Sequence, residues 1–121
     1  MTKTSEEEVR ERTIELADNK LQDAENTSVS RHTRVEACFD SIYVNLLVMA
    51  HRAGCAEPTE LSTERMILAG AVAAGLDDES LGEVLVLHDA VKDLRHKPGT
   101  HPINMLHGLA LSRHIAALAK R

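Results

Sequence analysis

A chain of 121 residues has the length of one domain and can bury most of its apolar side chains. Hydrophobic residues at 43% and charged residues at 27% exclude the composition of a disordered segment, and with Phe39 and Tyr43 as its two aromatic residues the chain has no stacking platform for unpaired bases. The net charge of −5 comes mostly from residues 1–30, where 4 Lys and Arg face 8 Asp and Glu, so contact with a polyanion has to run through a local patch rather than the overall field.

The stretch "SEEEVRERTIELADNKLQDAEN" predicts a first helix, opened by the capping box Ser5 and Glu8 and carrying a thin apolar stripe of Val9, Leu16 and Leu21. Residues 1–27 therefore read as an acidic N-terminal helix or extension, and residues 28–121 as a helical bundle domain. From about Val29 to Ala53, the positions Val35, Cys38, Phe39, Ile42, Leu46, Met49 and Ala50 step by three and four, while Val44, Leu47 and Val48 fill the other side. A helix apolar all round is buried on two sides, which makes this one central or part of an interface and leads to the expectation of a homodimer. Gly54 is placed to end it.

Pro58 is suited to open a third helix, where Leu61, Ile67, Leu68, Ala71 and Val72 precede a terminating Gly75 and the small residues allow close packing. "LDDES" supplies N-cap candidates for a fourth helix with Leu81, Val84, Leu87, Val91 and Leu94 facing inward, stopped by Pro98-Gly99. A fifth helix, from about Pro102, aligns Ile103, Leu106, His107, Ala110, Leu111, His114, Ile115 and Leu118. Every long segment has helical period, so the predicted fold is all-α, an up-and-down helical bundle of four core helices plus the N-terminal helix. The apolar run "IYVNLLVMA" is broken by Asn45 and is too short for a membrane span. Cys38, inside an apolar helical run, reads as a small hydrophobe, and Cys55 is the second thiol of a sequence without a signal peptide, which points to a reducing cytoplasm.

Chemistry is sparse in this pattern. Glu7-Glu8 followed by Glu11 is similar to the first carboxylate motif of the all-α nucleotide pyrophosphohydrolases, but the required second Glu-x-x-Asp on a facing helix is absent; Glu15 and Asp18 lie in the same helix. The acidic start is instead what a helix N-terminus favours. Seven histidines raise the question of a metal, yet none forms His-x-x-x-His or Glu-x-x-His, and His107 and His114 stand about 10 Å apart along their helix. The reading calls for no metal and no cofactor.

"DLRHKPGTHP" is different. At 3.6 residues per turn Arg95 falls between Val91 and His88, inside the apolar sector of its helix, where an arginine kept for solubility has no reason to be. Arg95, His96 and Lys97 also suit the negative end of a helix, and Thr100 or His101 before Pro102 suits an N-cap, which is the purely structural account of the same residues. Arg95, the polar His96, and His101 after five intervening residues resemble the Arg, polar residue, His motif at the end of a core helix in HEPN domains, and the helix order over residues 30–118 is similar to that of small bacterial HEPN-like proteins. Pro98-Gly99 interrupts the motif where many members of the family keep a helical turn.

The resemblance implies metal-independent RNA cleavage by a toxin-type ribonuclease, with the motif paired across a symmetric dimer and an antitoxin as the kind of protein partner it would have. Arg95 would then steady the scissile phosphate, His101 would move the proton of the 2′-hydroxyl, and His96 would orient or assist. The alternative is a non-catalytic helical interaction or dimerisation module in which Arg95 and His101 tie helices together.

Overall fold

The computed structural model describes residues 5–54, 62–96 and 104–121, and the side chains of 94–96 are not among what it describes. It is an all-α bundle of five helices: α1 (Ser5–Glu25), α2 (Arg31–Arg52), α3 (Thr63–Ala74), α4 (Asp78–His96) and α5 (Met105–Ala119). Among the described residues there is no strand, and no helix is long and apolar enough to cross a membrane.

Short polar side chains set the helix starts. The Ser30 hydroxyl accepts from the Thr33 amide at 3.1 Å, Ser62 from the Arg65 amide at 3.3 Å, and the Asn104 carbonyl from the His107 amide at 3.2 Å, each satisfying an amide that has no partner within its helix. Asn104 therefore caps α5, in place of the Thr100 or His101 expected from the sequence. Gly54 and Gly75 follow the ends of α2 and α3 at φ 79° and 69°, the left-handed conformation that a side chain opposes.

α2 is the axis of the bundle, and all four other helices pack on it. Its buried residues, from Val35, Cys38 and Phe39 through Ile42 and Leu46 to Val48, Met49 and Ala50, fill one broad sector, while Glu36, Asp40, Tyr43, Val44 and Leu47 on the remaining side are only partly buried. Of the second apolar side that suggested a dimer, Val48 is buried within the chain, and Val44 and Leu47 are partly buried. α1 lies along α2 through small residues, with Ala17 and Ala24 fully buried, whereas Val9 and Leu16 of the expected stripe are 61% and 48% exposed. Arg34 donates from Nε to the Ala24 carbonyl at 2.9 Å, and Lys120–Asp18 and Arg113–Glu25, both at 2.9 Å, tie α1 to α5.

Two faces differ in phase from the sequence reading, both because small residues mark the contact. In α3 the buried residues are Met66, Ile67, Gly70 and Ala71, while Leu68 and Val72 point outward. In α5 they are Leu109, Leu111, Ser112, Ile115, Ala116 and Ala119, while Leu106, His107, Ala110 and His114 are exposed. Gly108 and Ser112 let α5 approach α2: a Cβ on Gly108 would stand 3.3 Å from the Cys38 sulfur, and Ser112 Oγ lies 2.9 Å from that sulfur and donates to the Cys38 carbonyl at 3.2 Å. Burial pushes the Cys38 thiol up, so this cysteine is an inert core residue. On the same side of α2, Ser41 and Asn45 are completely buried, and neither the Ser41 hydroxyl nor either polar atom of the Asn45 amide meets a hydrogen-bond partner among the described residues.

α3 approaches α2 closely at Gly70, where an added Cβ would sit 2.6 Å from both Cβ and the carbonyl oxygen of Leu46. Alanine at this position gains about 1 kcal/mol of helix propensity, but backbone cannot yield as a side-chain tip does, and overpacking costs about 1–3 kcal/mol. Gly70→Ala should therefore lower the melting temperature, while Gly82→Ala, at an exposed α4 position with nothing within 4 Å of the added Cβ, should raise it. Ser41→Ala removes a buried hydroxyl and adds helix propensity, so calorimetry should show it more stable than the wild type by about 1 kcal/mol.

Candidate functional site

α4 carries Arg95 and His96, two of the residues to which the sequence assigns chemistry. Asp77 accepts from the Ser80 amide at 3.2 Å just before the helix, and this bonding with Ser80, side chain first, holds the Asp77 carboxyl below its usual range. Asp78 and Glu79 add negative charge where the helix dipole favours it. Val84, Leu87 and Val91 turn the inner face of α4 toward the core as read from the sequence, with Ala90 buried beside them and Leu81 partly buried, while the side chain of Leu94 lies outside the described residues. The helix continues through His96, which places Arg95 and His96 in its last turn. Position 95 follows Val91 by four residues and His88 by seven, and both of those are buried, at 2% and 8% exposure. The side chains of Arg95 and His96 are outside the described residues, as are Pro98, Gly99 and all of His101.

Of the other histidines, His107 reaches Glu83 at 3.0 Å and His32 reaches Glu36 at 3.2 Å, both as surface pairs. His88 is the buried one. Its ring stacks on Phe39 of α2, centroids 5.2 Å apart and planes 20° from parallel, and Phe39 in turn stacks on Tyr43 at 5.9 Å and 18°. Sequence reasoning placed His88 only as a marker of the apolar sector. Beside it stand Asp89 and, from the first turn of α3, Glu64, and the ligating atoms of these three residues all lie within 4.8 Å of one another. A search of local spacing does not find this group, because α3 supplies Glu64 from 24 positions before His88.

An open cavity of about 390 Å³ lies where α2, α3 and α5 end together, lined by Met49, Ala73, Ala74 and Leu118 with Arg52 and Arg121 among its walls. Arg52 donates from Nη1 to the Arg121 carbonyl at 3.3 Å, and desolvation, then the charge of Arg10, pulls its guanidinium below the usual arginine range. Three helix C-termini concentrate negative partial charge at this end, and arginines there are what the dipoles call for.

Comparison of the chain with protein-family models, with curated proteins and with solved structures finds no match, so the geometry of α4 and its neighbours is what a functional reading rests on.

Proposed function

We propose that the chain is a HEPN-like, toxin-type endoribonuclease that works without metal as a dimer, with Arg95, His96 and His101 as its catalytic group. The observation that carries the reading is the run of α4 through His96, which sets Arg95 at the end of a core helix, in register with buried residues. The group gives the elements of phosphodiester transesterification. His101 takes the proton from a ribose 2′-hydroxyl, the 2′-oxygen bonds to phosphorus, and the bond to the 5′-oxygen breaks. Arg95 neutralises charge on the phosphoryl oxygens as it develops, and His96 orients the pair or protonates the leaving 5′-oxygen. The products are a 2′,3′-cyclic phosphate and a 5′-hydroxyl.

A second reading is a helical interaction module without catalysis. It is favoured by three large apolar side chains that the fold leaves in solvent, Leu68 and Val72 one turn apart on α3 and Val86 on α4, at 44%, 81% and 62% exposure. Exposed side chains of this kind are where a dimer of either kind would be built.

Labelled RNA incubated with protein in chelator should be cut to cyclic-phosphate ends. Arg95→Ala and His101→Ala should each abolish cutting while leaving the melting temperature nearly unchanged, because groups that act on a transition state need not support the fold. No cleavage by the wild type, together with an Arg95→Ala variant destabilised by about 1–3 kcal/mol, would overturn the enzyme and leave the interaction module. Light scattering should give twice the 13.3 kDa of one chain; a monomer mass at micromolar concentration removes the composite site.

A further inference from the structure

We propose that Glu64, His88 and Asp89 form a binding site for a divalent first-row transition ion, Zn²⁺ foremost, that clips α3 to α4. The two helices form a hairpin turned at Gly75, and they pack more sparsely on each other than either does on α2. Glu64 projects from the N-terminal end of α3 to the level of His88 and Asp89 on α4, at the open end of that hairpin. The three ligating atoms fall within 4.8 Å of one another. Around an ion bonded at about 2.0–2.2 Å, ligand atoms stand about 3–3.5 Å apart, so the group closes on a metal by movements of about 1–2 Å. The exposed Glu64 and Asp89 make that adjustment by changing rotamer.

His88 needs no such movement. It is 8% exposed, stacking on Phe39 fixes its ring plane, and one of its ring nitrogens lies within 4.8 Å of a carboxylate oxygen of Glu64 and of Asp89. The preorganised ligand is the buried one, and the mobile ligands reach in from solvent. Charge points the same way. Among the described residues neither Glu64 nor Asp89 forms an ion pair, and the hairpin brings these two carboxylates together beside an imidazole. Glu64 alone is accounted for by the dipole of α3, but Asp89 lies in the middle of α4, where no dipole favours it.

The donor set selects the ion. One imidazole and two carboxylates suit Zn²⁺, Mn²⁺, Fe²⁺ or Co²⁺, while Mg²⁺ and Ca²⁺ prefer oxygen alone. Zn²⁺ has no geometric demand from its d electrons and accepts three protein ligands with water in the remaining position, which matches a site open to solvent on its carboxylate side. The ion's role is to hold the hairpin together rather than to take part in RNA cleavage, so the clip stands or falls independently of the ribonuclease reading.

The test uses the full chain, stripped of metal, and Zn²⁺ followed by calorimetry and by competition with an indicator. One site is expected, with Glu64→Gln and Asp89→Asn each weakening it by about tenfold or more. Both variants are at exposed positions and keep the fold. Zn²⁺ should raise the melting temperature of the wild type and not that of the variants, and a His107→Ala control should bind as the wild type does. In nuclear magnetic resonance the His88 ring should shift on Zn²⁺ addition. Absence of binding by the wild type, or equal affinity in the wild type, Glu64→Gln and Asp89→Asn, would overturn the clip. Neither experiment includes RNA, so neither result bears on cleavage.

Discussion

The bundle depends on one requirement, that the broad apolar sector of α2 be kept from water. Between Val35 and Ala50 the side of α2 bearing Glu36, Asp40 and Leu47 is partly open to solvent, and the other four helices all pack on α2. Burying an aliphatic side chain contributes about 1.5–3 kcal/mol, so Ile42, Leu46, Met49 and their neighbours on this one helix outweigh any surface pair in the molecule. The remaining helices can accordingly be ordinary: α1 contributes alanines and a charged outer face, and α5 contributes a glycine and a serine where contact is closest. The charge asymmetry of the chain is absorbed in the same arrangement, because acidic residues of α1 meet Arg113 and Lys120 of α5.

Much of this was legible in the sequence, and the places where it was not have a common cause. The stepped core stripe of α2 was unmistakable, as were the left-handed glycines after α2 and α3, because both follow from backbone and transfer energetics that act locally, whereas Val44 and Leu47 of the expected second side are only partly buried. The phase of α3 and of α5 was misread, since a periodicity search weights large side chains and these contacts are made by Gly70, Gly108, Ser112 and Ala116. Where backbones come within touching distance, the smallest residues mark the interface and a leucine or valine beside them is free to point outward. Leu68, Val72 and Leu106 are such residues.

The candidate sites divide in the same manner. Arg95 attracted notice because a single wheel put a charge in an apolar sector, and the helical course of α4 through residue 96 agrees with the register on which that reasoning depended. His88, Asp89 and Glu64 gave no such signal. Asp89 and Glu64 look like any solvated acid, and only the antiparallel return of α4 along α3 brings them to one place. A site assembled by tertiary structure from residues with no local peculiarity is invisible to spacing, whatever its chemistry.

The stack of Tyr43, Phe39 and His88 has a consequence for how the molecule can be watched. With no tryptophan, Tyr43 is the sole strong fluorophore, and it lies one ring away from the point where α4 is fastened to α2. Among the described residues, α4 is the least extensively packed helix of the bundle, although it carries Arg95 and His96 of one candidate site and His88 and Asp89 of the other. Helices at the low end of local stability open before the whole domain does, and moving parts are drawn from them. Emission from a single tyrosine thus reports the detachment of α4 separately from the collapse of the circular dichroism signal that all five helices share, and a gap between the two transitions measures how much of the fold α4 can leave without taking the rest with it.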